Sequence, residues 1–134
     1  MSKEFSIEVR VIYADTDQMG VVYYANYLIW LEIARTEFLR SKGINYRNIE
    51  REQQLALPAV EVFCKYKAPA RYDDIIVIKT KVSEIKNSSL RFDYELFNKD
   101  TNQLLVIAYT VHVFIDKDRR PVRIPQQIRD AFKE

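Results

Sequence analysis

Apolar spacing changes along this chain, and each change marks an element. Phe5, Ile7, Val9, Val11 and Tyr13 fall on one side of an alternating pattern, so residues 5–13 predict a first strand. Residues 15–20, with two acids and a glycine, predict a loop. Leu28, Leu31, Ala34, Phe38 and Leu39 then recur at three-to-four spacing and predict a helix over 24–41, stopped by Lys42-Gly43. The helix is apolar on more than one side at its start, so other elements should wrap it. Residues 44–54 are polar and predict irregular chain or a short helix.

Four β patterns follow, at 57–66, 75–86, 90–96 and 104–115. The third alternates without a slip and predicts a solvated face or an edge. The fourth is almost wholly apolar and predicts cover on both faces. Asn87-Ser88 and residues 98–102 read as the turns of a meander. Pro121 and Pro125 bracket a short predicted strand, and 126–133 predict a terminal helix. One strand, one long helix and about five further strands define an α+β class, an antiparallel sheet packed on one helix. One helix covers one face only. The first strand and the fourth pattern leave spare apolar surface, so an oligomer, at least a dimer, should complete the fold.

At 134 residues the chain predicts one domain, 1–134. Lys and Arg number 21 against 19 Asp and Glu, a net charge of +2, which gives no nucleic-acid signature. The single Cys64 excludes an internal disulfide and fits a reducing compartment. The first five residues lack the apolar core of a signal peptide, and no apolar run nears the ~18 residues of a membrane span. The expected location is the cytoplasm. The only histidine, His112, lies in an apolar strand and reads as structural. No second His or Cys stands at metal spacing, so no metal site is expected.

Asp15, Asp17 and Gly20 interrupt apolar chain just before the helix, where orphan N–H groups lie. As bare residues, the acids read equally as turn formers. A carboxylate beside such donors is also equipment for attack on a carbonyl. The stretch Tyr13-x-Asp15-Thr16-Asp17-x-x-Gly20-Val21-Val22-Tyr23-Tyr24-Ala25-Asn26-Tyr27 resembles the signature of hotdog-fold acyl-CoA thioesterases. Its closest likeness is to the 4-hydroxybenzoyl-CoA thioesterase group and, within it, to the Tol-Pal-associated subgroup. Tyr66-x-Ala68-Pro69-Ala70-Arg71-Tyr72-Asp73-Asp74 resembles the same family, and the likeness spans about 5–132.

The resemblance implies a hotdog fold, with five or six strands around one central helix. It implies hydrolysis of an acyl-CoA thioester, with Asp17 as catalytic carboxylate, the Tyr24 backbone N–H as carbonyl donor, and Asp15 structuring the loop. Gly20, Val21, Tyr23, Glu61, Lys65, Arg71, Lys86, Asn87 and Ser88 are the candidate substrate contacts. At 84–89 the hydroxybenzoyl enzymes place a basic trio, of which only Lys86 keeps a charge here; Arg119, Arg120 or Arg123 of another subunit could compensate. Tyr24 stands where Tol-Pal-associated members usually carry His, which removes a side-chain role but not the backbone donor. Coenzyme A enters as part of the substrate, with no other cofactor, and the expected assembly is a dimer of dimers. A non-catalytic acyl-CoA-binding protein, an acyl-carrier-protein substrate, and a dehydratase of the same fold are the alternatives.

Overall fold

The computed structural model describes residues 3–133; Met1, Ser2 and Glu134 of the expected 1–134 domain lie outside the described residues. Five strands form one antiparallel sheet: β1 (Phe5–Arg10), β2 (Ala59–Tyr66), β3 (Ile75–Ile85), β4 (Ser89–Asn98) and β5 (Leu104–Val113). Their order is β1-β3-β4-β5-β2, so β1 and β2 are the edges. Helix α1 (Asn26–Ser41) crosses one face, and two short helices follow, α2 (Tyr46–Glu52) and α3 (Gln126–Ala131). No helix among the described residues is long and apolar enough to cross a membrane.

The core lies between α1 and one face of the sheet. Tyr27, Trp30, Leu31, Ala34, Phe38 and Leu39 are the buried helix residues. Phe38 stacks on Phe5 at 5.1 Å and meets Phe132 edge-on at 5.0 Å, so a strand and the last helix share one aromatic contact. Ile76, Ile78, Phe92, Leu96 and Ala108 supply the sheet side. This stripe is rotated from the expected one. Leu28 is not part of it, and Leu28, Ile29 and Ile33 stay exposed. The aromatic Tyr27 and Trp30 bury more area than Leu28 would, and they set the helix rotation. Gly43 ends the helix at φ +78°, with Ile44 N–H on Leu39 O and Gly43 N–H on Arg40 O. That left-handed position favours glycine.

Several expectations are corrected. The first strand stops at Arg10 because Asp15 captures the Ile12 N–H, and a 3-10 turn covers Tyr13–Asp15. The helix begins at Asn26, not Tyr24, with Ala25 as its N-cap. Of the two alternatives for β4, the edge is excluded, since it sits between β3 and β5, and the open face holds: its alternation marks one buried face and one partly exposed face. Within one chain β5 is covered on one face only. Ala108, Thr110 and His112 face the core, while Ile107, Tyr109, Val111 and Val113 are half-buried on the outer face. The bracketed segment 121–125 forms no strand, only a bridge from Pro121 to Ile115. The spare apolar surface lies on β2, through Val60, Val62 and Phe63, and on the first half of α1.

Candidate active site

The acid loop is built by its own short hydrogen bonds. Asp15 closes the first turn: its carboxylate accepts from Ile12 N at 3.0 Å. Its carbonyl accepts from Tyr23 N at 2.9 Å and from the Asn26 side-chain amide at 2.8 Å. These bonds tie the loop to the helix start. Asp17 N donates to Val21 O at 2.9 Å, and Gly20 N donates to Asp17 O at 3.0 Å. Gly20 sits at φ +81°, the conformation that a side chain would strain. The Asp17 carboxylate turns over its own loop, with Oδ1 accepting from Met19 N at 2.8 Å. Its Oδ2 has no hydrogen-bond partner among the described residues.

A second segment, 67–74, holds this loop against the sheet. Val22 N donates to Ala70 O at 2.9 Å, and Val21 bridges Arg71. Ala70 N donates to the Tyr27 hydroxyl at 3.1 Å. Tyr24 and Ala25 form the turn before α1, closed by Asn26 N on Tyr23 O at 2.9 Å. The Tyr24 and Ala25 N–H groups have no acceptor among the described residues, as expected for the approach to a helix N-terminus. A cavity of about 310 Å³ opens beside this turn, lined by Val22, Tyr24, Tyr27, Tyr66, Lys67 and Pro69 among others. Asp17, Gly20, Val21, Tyr23, Tyr24 and Arg71 thus gather at one end of the molecule.

The remaining candidate residues lie elsewhere. Glu61 and Lys65 are on the outer face of β2, beside Val111 and Ile107 of β5. The Tyr109 hydroxyl donates to the Glu61 carboxylate. Lys86, Asn87 and Ser88 form the β3–β4 turn, at the far end of β3 from the acid loop. β3 has 11 residues, so at ~3.3 Å per residue that separation exceeds 30 Å. The Lys86 ammonium is paired with Glu84 at 3.0 Å, so the one remaining charge of this turn is partly neutralised. Arg123 donates to the Asn87 side chain at 3.3 Å, and Arg129 donates to the carbonyls of Lys86 and Asn87 at 2.6 and 2.9 Å. A single chain therefore does not unite the acid loop with this turn.

The other titratable groups are tied into structure. His112 is buried; Nδ1 lies 3.2 Å from Leu57 O and Nε2 2.9 Å from Thr110 Oγ1. Burial foremost, then the Arg35 charge, lowers its pKa to about 4. Cys64 is half-buried, and burial raises its thiol pKa. Among the described residues no three His, Cys, Asp or Glu side chains converge as a metal site would require. Sequence reasoning missed Asn26, Tyr66 and Arg129 as holding residues. Asn26 and Tyr66 had a local signal, since they lie within the motifs at 13–27 and 66–74; Arg129 had none.

A five-stranded antiparallel sheet around one long helix, with an Asp-x-Asp loop on the helix approach, is the hotdog fold of thioesterases. A family model described as the thioesterase-like superfamily matches residues 6–132. The acyl-CoA thioesterase YbgC of Haemophilus influenzae is 38% identical, covering 96% of this chain and 93% of that one. The putative acyl-CoA thioesterase YneP of Bacillus subtilis is 34% identical, covering 95% and 88%. The crystal structure of Slr0204, a 1,4-dihydroxy-2-naphthoyl-CoA thioesterase from Synechocystis, superposes with a TM-score of 0.92 at 30% identity, covering 97% and 96%. The chain belongs to the thioesterase-like superfamily and is an enzyme of the thioester hydrolase class.

Proposed function

We propose that this chain hydrolyses an acyl-CoA thioester to free acid and CoA, with Asp17 as the reacting carboxylate and the Tyr24 N–H as oxyanion donor. One observation carries the proposal. The same loop holds a carboxylate with a free oxygen and leads directly into a turn whose N–H groups lack acceptors. Asp17 can draw a proton from water as its oxygen adds to the thioester carbon. The oxyanion then collapses, the C–S bond breaks, and the thiolate leaves with a proton. Alternatively Asp17 adds to the carbonyl itself, and water cleaves the resulting anhydride. CoA is needed only as part of the substrate.

The motif at 13–27 favours kinship with the Tol-Pal-associated thioesterases, with Tyr24 in place of their usual His. A cytoplasmic location agrees with the lone cysteine. The assembly is a dimer of dimers, and the edge strand favours its first step. β2 has unpaired backbone on its outer side and exposed Val60 and Val62. Antiparallel pairing of β2 with its copy sets the Tyr66 end of one chain beside the Ala59 end of the other. Ala59 pairs with His112, and Ser89 with Val113, so the Lys86–Ser88 turn lies at that same end. Such pairing brings one chain's acid loop toward the other's Lys86, Asn87 and Ser88. Lys65 and Arg71 are further candidate phosphate contacts, and Glu61, Val21 and Tyr23 candidate acyl or pantetheine contacts.

The Met19 contact also suits a second reading, in which Asp17 is only a turn residue of an acyl-CoA-binding protein. Asp17→Asn separates the two readings, because the Asn carbonyl can still accept from Met19 N and keep the loop. Thiol release is measured across acyl-CoAs from acetyl to palmitoyl, with benzoyl and hydroxyphenyl members. The carboxylate role requires a loss of at least ~100-fold in Asp17→Asn with acyl-CoA binding retained. Binding without turnover in the native chain establishes the second reading instead.

A further inference from the structure

The turn that carries the Tyr24 N–H is held at both of its peptides. The Tyr23 carbonyl accepts from Asn26 N, and in a trans peptide the N–H points opposite to the C=O. That bond therefore aims the Tyr24 N–H out of the turn. The next carbonyl, Tyr24 O, has no helical donor, because Leu28 N reaches Ala25 O instead, at 3.2 Å. Its partner comes from another element. The Tyr66 hydroxyl, at the last residue of β2, donates to Tyr24 O at 2.9 Å across 42 positions of sequence. This fixes the Tyr24–Ala25 peptide and, with it, the direction of the Ala25 N–H.

Tyr66 is itself fixed. Its backbone pairs with Val106 of β5, and its ring stands edge-on to Tyr24 at 6.5 Å and tilted to Tyr27 at 5.4 Å. Burial above all pushes its phenol up to about 12, so it remains a protonated donor throughout the working pH range. One O–H thus transmits the register of the sheet to the donor turn.

We propose that Tyr66 is a positioning residue for the oxyanion donors: by holding the Tyr24 carbonyl it fixes the turn whose N–H groups receive the reacting carbonyl. The inference rests on the reading of the Tyr24 N–H given above. An oxyanion forms only along the reaction path, so misaligned donors lower kcat and spare KM. A residue that merely packed the cavity wall would alter KM or stability instead.

Tyr66→Phe keeps the ring and removes the hydroxyl. The expected result on the best acyl-CoA is a kcat about 10-fold lower, a KM within about twofold of native, and an unchanged melting temperature. A kcat within about twofold of native, or a raised KM with native kcat, overturns the proposal. Should Tyr66→Phe fail to fold, 3,5-difluorotyrosine in place of Tyr66 gives the answer. Its more acidic phenol loses the donated proton as pH rises, which adds an alkaline limb to kcat that the native enzyme lacks; a flat profile overturns the proposal. Asp17→Asn is assayed in parallel. If it stays active, the reading of the site fails; if it is inactive while Tyr66→Phe turns over normally, only the role of Tyr66 fails.

Discussion

Acidifying this protein from neutral pH should destabilise it through one imidazole. Leu57 O can only accept, so His112 Nδ1 carries the proton and Nε2 is bare. Thr110 must then donate to Nε2, which leaves its oxygen to accept from the Tyr94 hydroxyl at 2.7 Å. Protonating Nε2 would oppose that whole chain, add charge in a buried site and face Arg35. The folded pKa of about 4 lies below the ordinary 6.5, so the unfolded state binds the extra proton. The stabilisation is therefore complete above pH 6.5 and is lost as pH falls toward 4. A drop from 6.5 to about 4 corresponds to about 3 kcal/mol, with about 2 kcal/mol of it gone by pH 5. Urea unfolding at pH 7.5 and 5.0, for the native chain and His112→Gln, measures it with the carboxylate contributions cancelled. The native chain should lose about 2 kcal/mol more than the variant. Equal losses, or an imidazole proton resonance titrating near 6.5, refute the reasoning. The functional corollary comes from the same bonds: His112 is buried with both ring nitrogens engaged, by Leu57 and Thr110, and has none free for a substrate, which argues against a histidine-dependent dehydratase.

Two further outcomes can be measured directly. Gly20→Ala meets no atom within 4 Å but must hold φ +81°, so it should cost about 1 kcal/mol of stability by backbone strain alone, read by chemical denaturation. Mixing Asp17→Asn with Lys86→Glu subunits should restore activity to roughly a quarter of the native value if each site combines an acid loop with its partner's β3–β4 turn, since half the dimers are mixed and each carries one intact site. Activity no greater than the sum of the parents would place both groups' work within one chain.

Much of the architecture was legible because its causes are local. The alternating runs, the 3.6-residue helical pattern and the Gly43 stop each act within a few residues, and each produced its element. The errors arose where packing between elements decided. Leu28 has the right spacing for the core stripe, but Tyr27 and Trp30 won the buried face. The apolar run of β5 suggested cover on two faces, whereas one chain offers a single helix and leaves the outer face half-open. Pro121 to Pro125 looked like a strand, yet Val122 and Ile124 spend their N–H groups on Phe114 O and Asn87 O. The acid loop was legible for the same reason as the helix, since the bonds that shape 12–20 are short-range, and only Val21 and Val22 reach the distant segment at Ala70 and Arg71. The contact of residue 66 with residue 24 was not, because it depends on β2 pairing with β5 in one register, which brings the last residue of β2 to the turn before α1.

This division bears on which residues the proposed chemistry demands. A backbone donor is indifferent to the side chain that carries it, so the side chain of Tyr24, 62% exposed, can change without loss of the N–H. What cannot vary freely is the geometry of the turn, and that geometry belongs to other residues. Asn26 supplies its main-chain N–H to Tyr23 O and its side-chain amide to Asp15 O, so one residue closes the donor turn and anchors the acid loop. Tyr66 supplies the bond to Tyr24 O from the sheet. On the proposed mechanism the carboxylate and the donors must meet one thioester within about an ångström, a tolerance that loops do not hold unaided. The side-chain requirement therefore shifts from the residue whose N–H is used to the two that orient it. Asn26 and Tyr66, not Tyr24, are the positions where substitution should be felt in turnover.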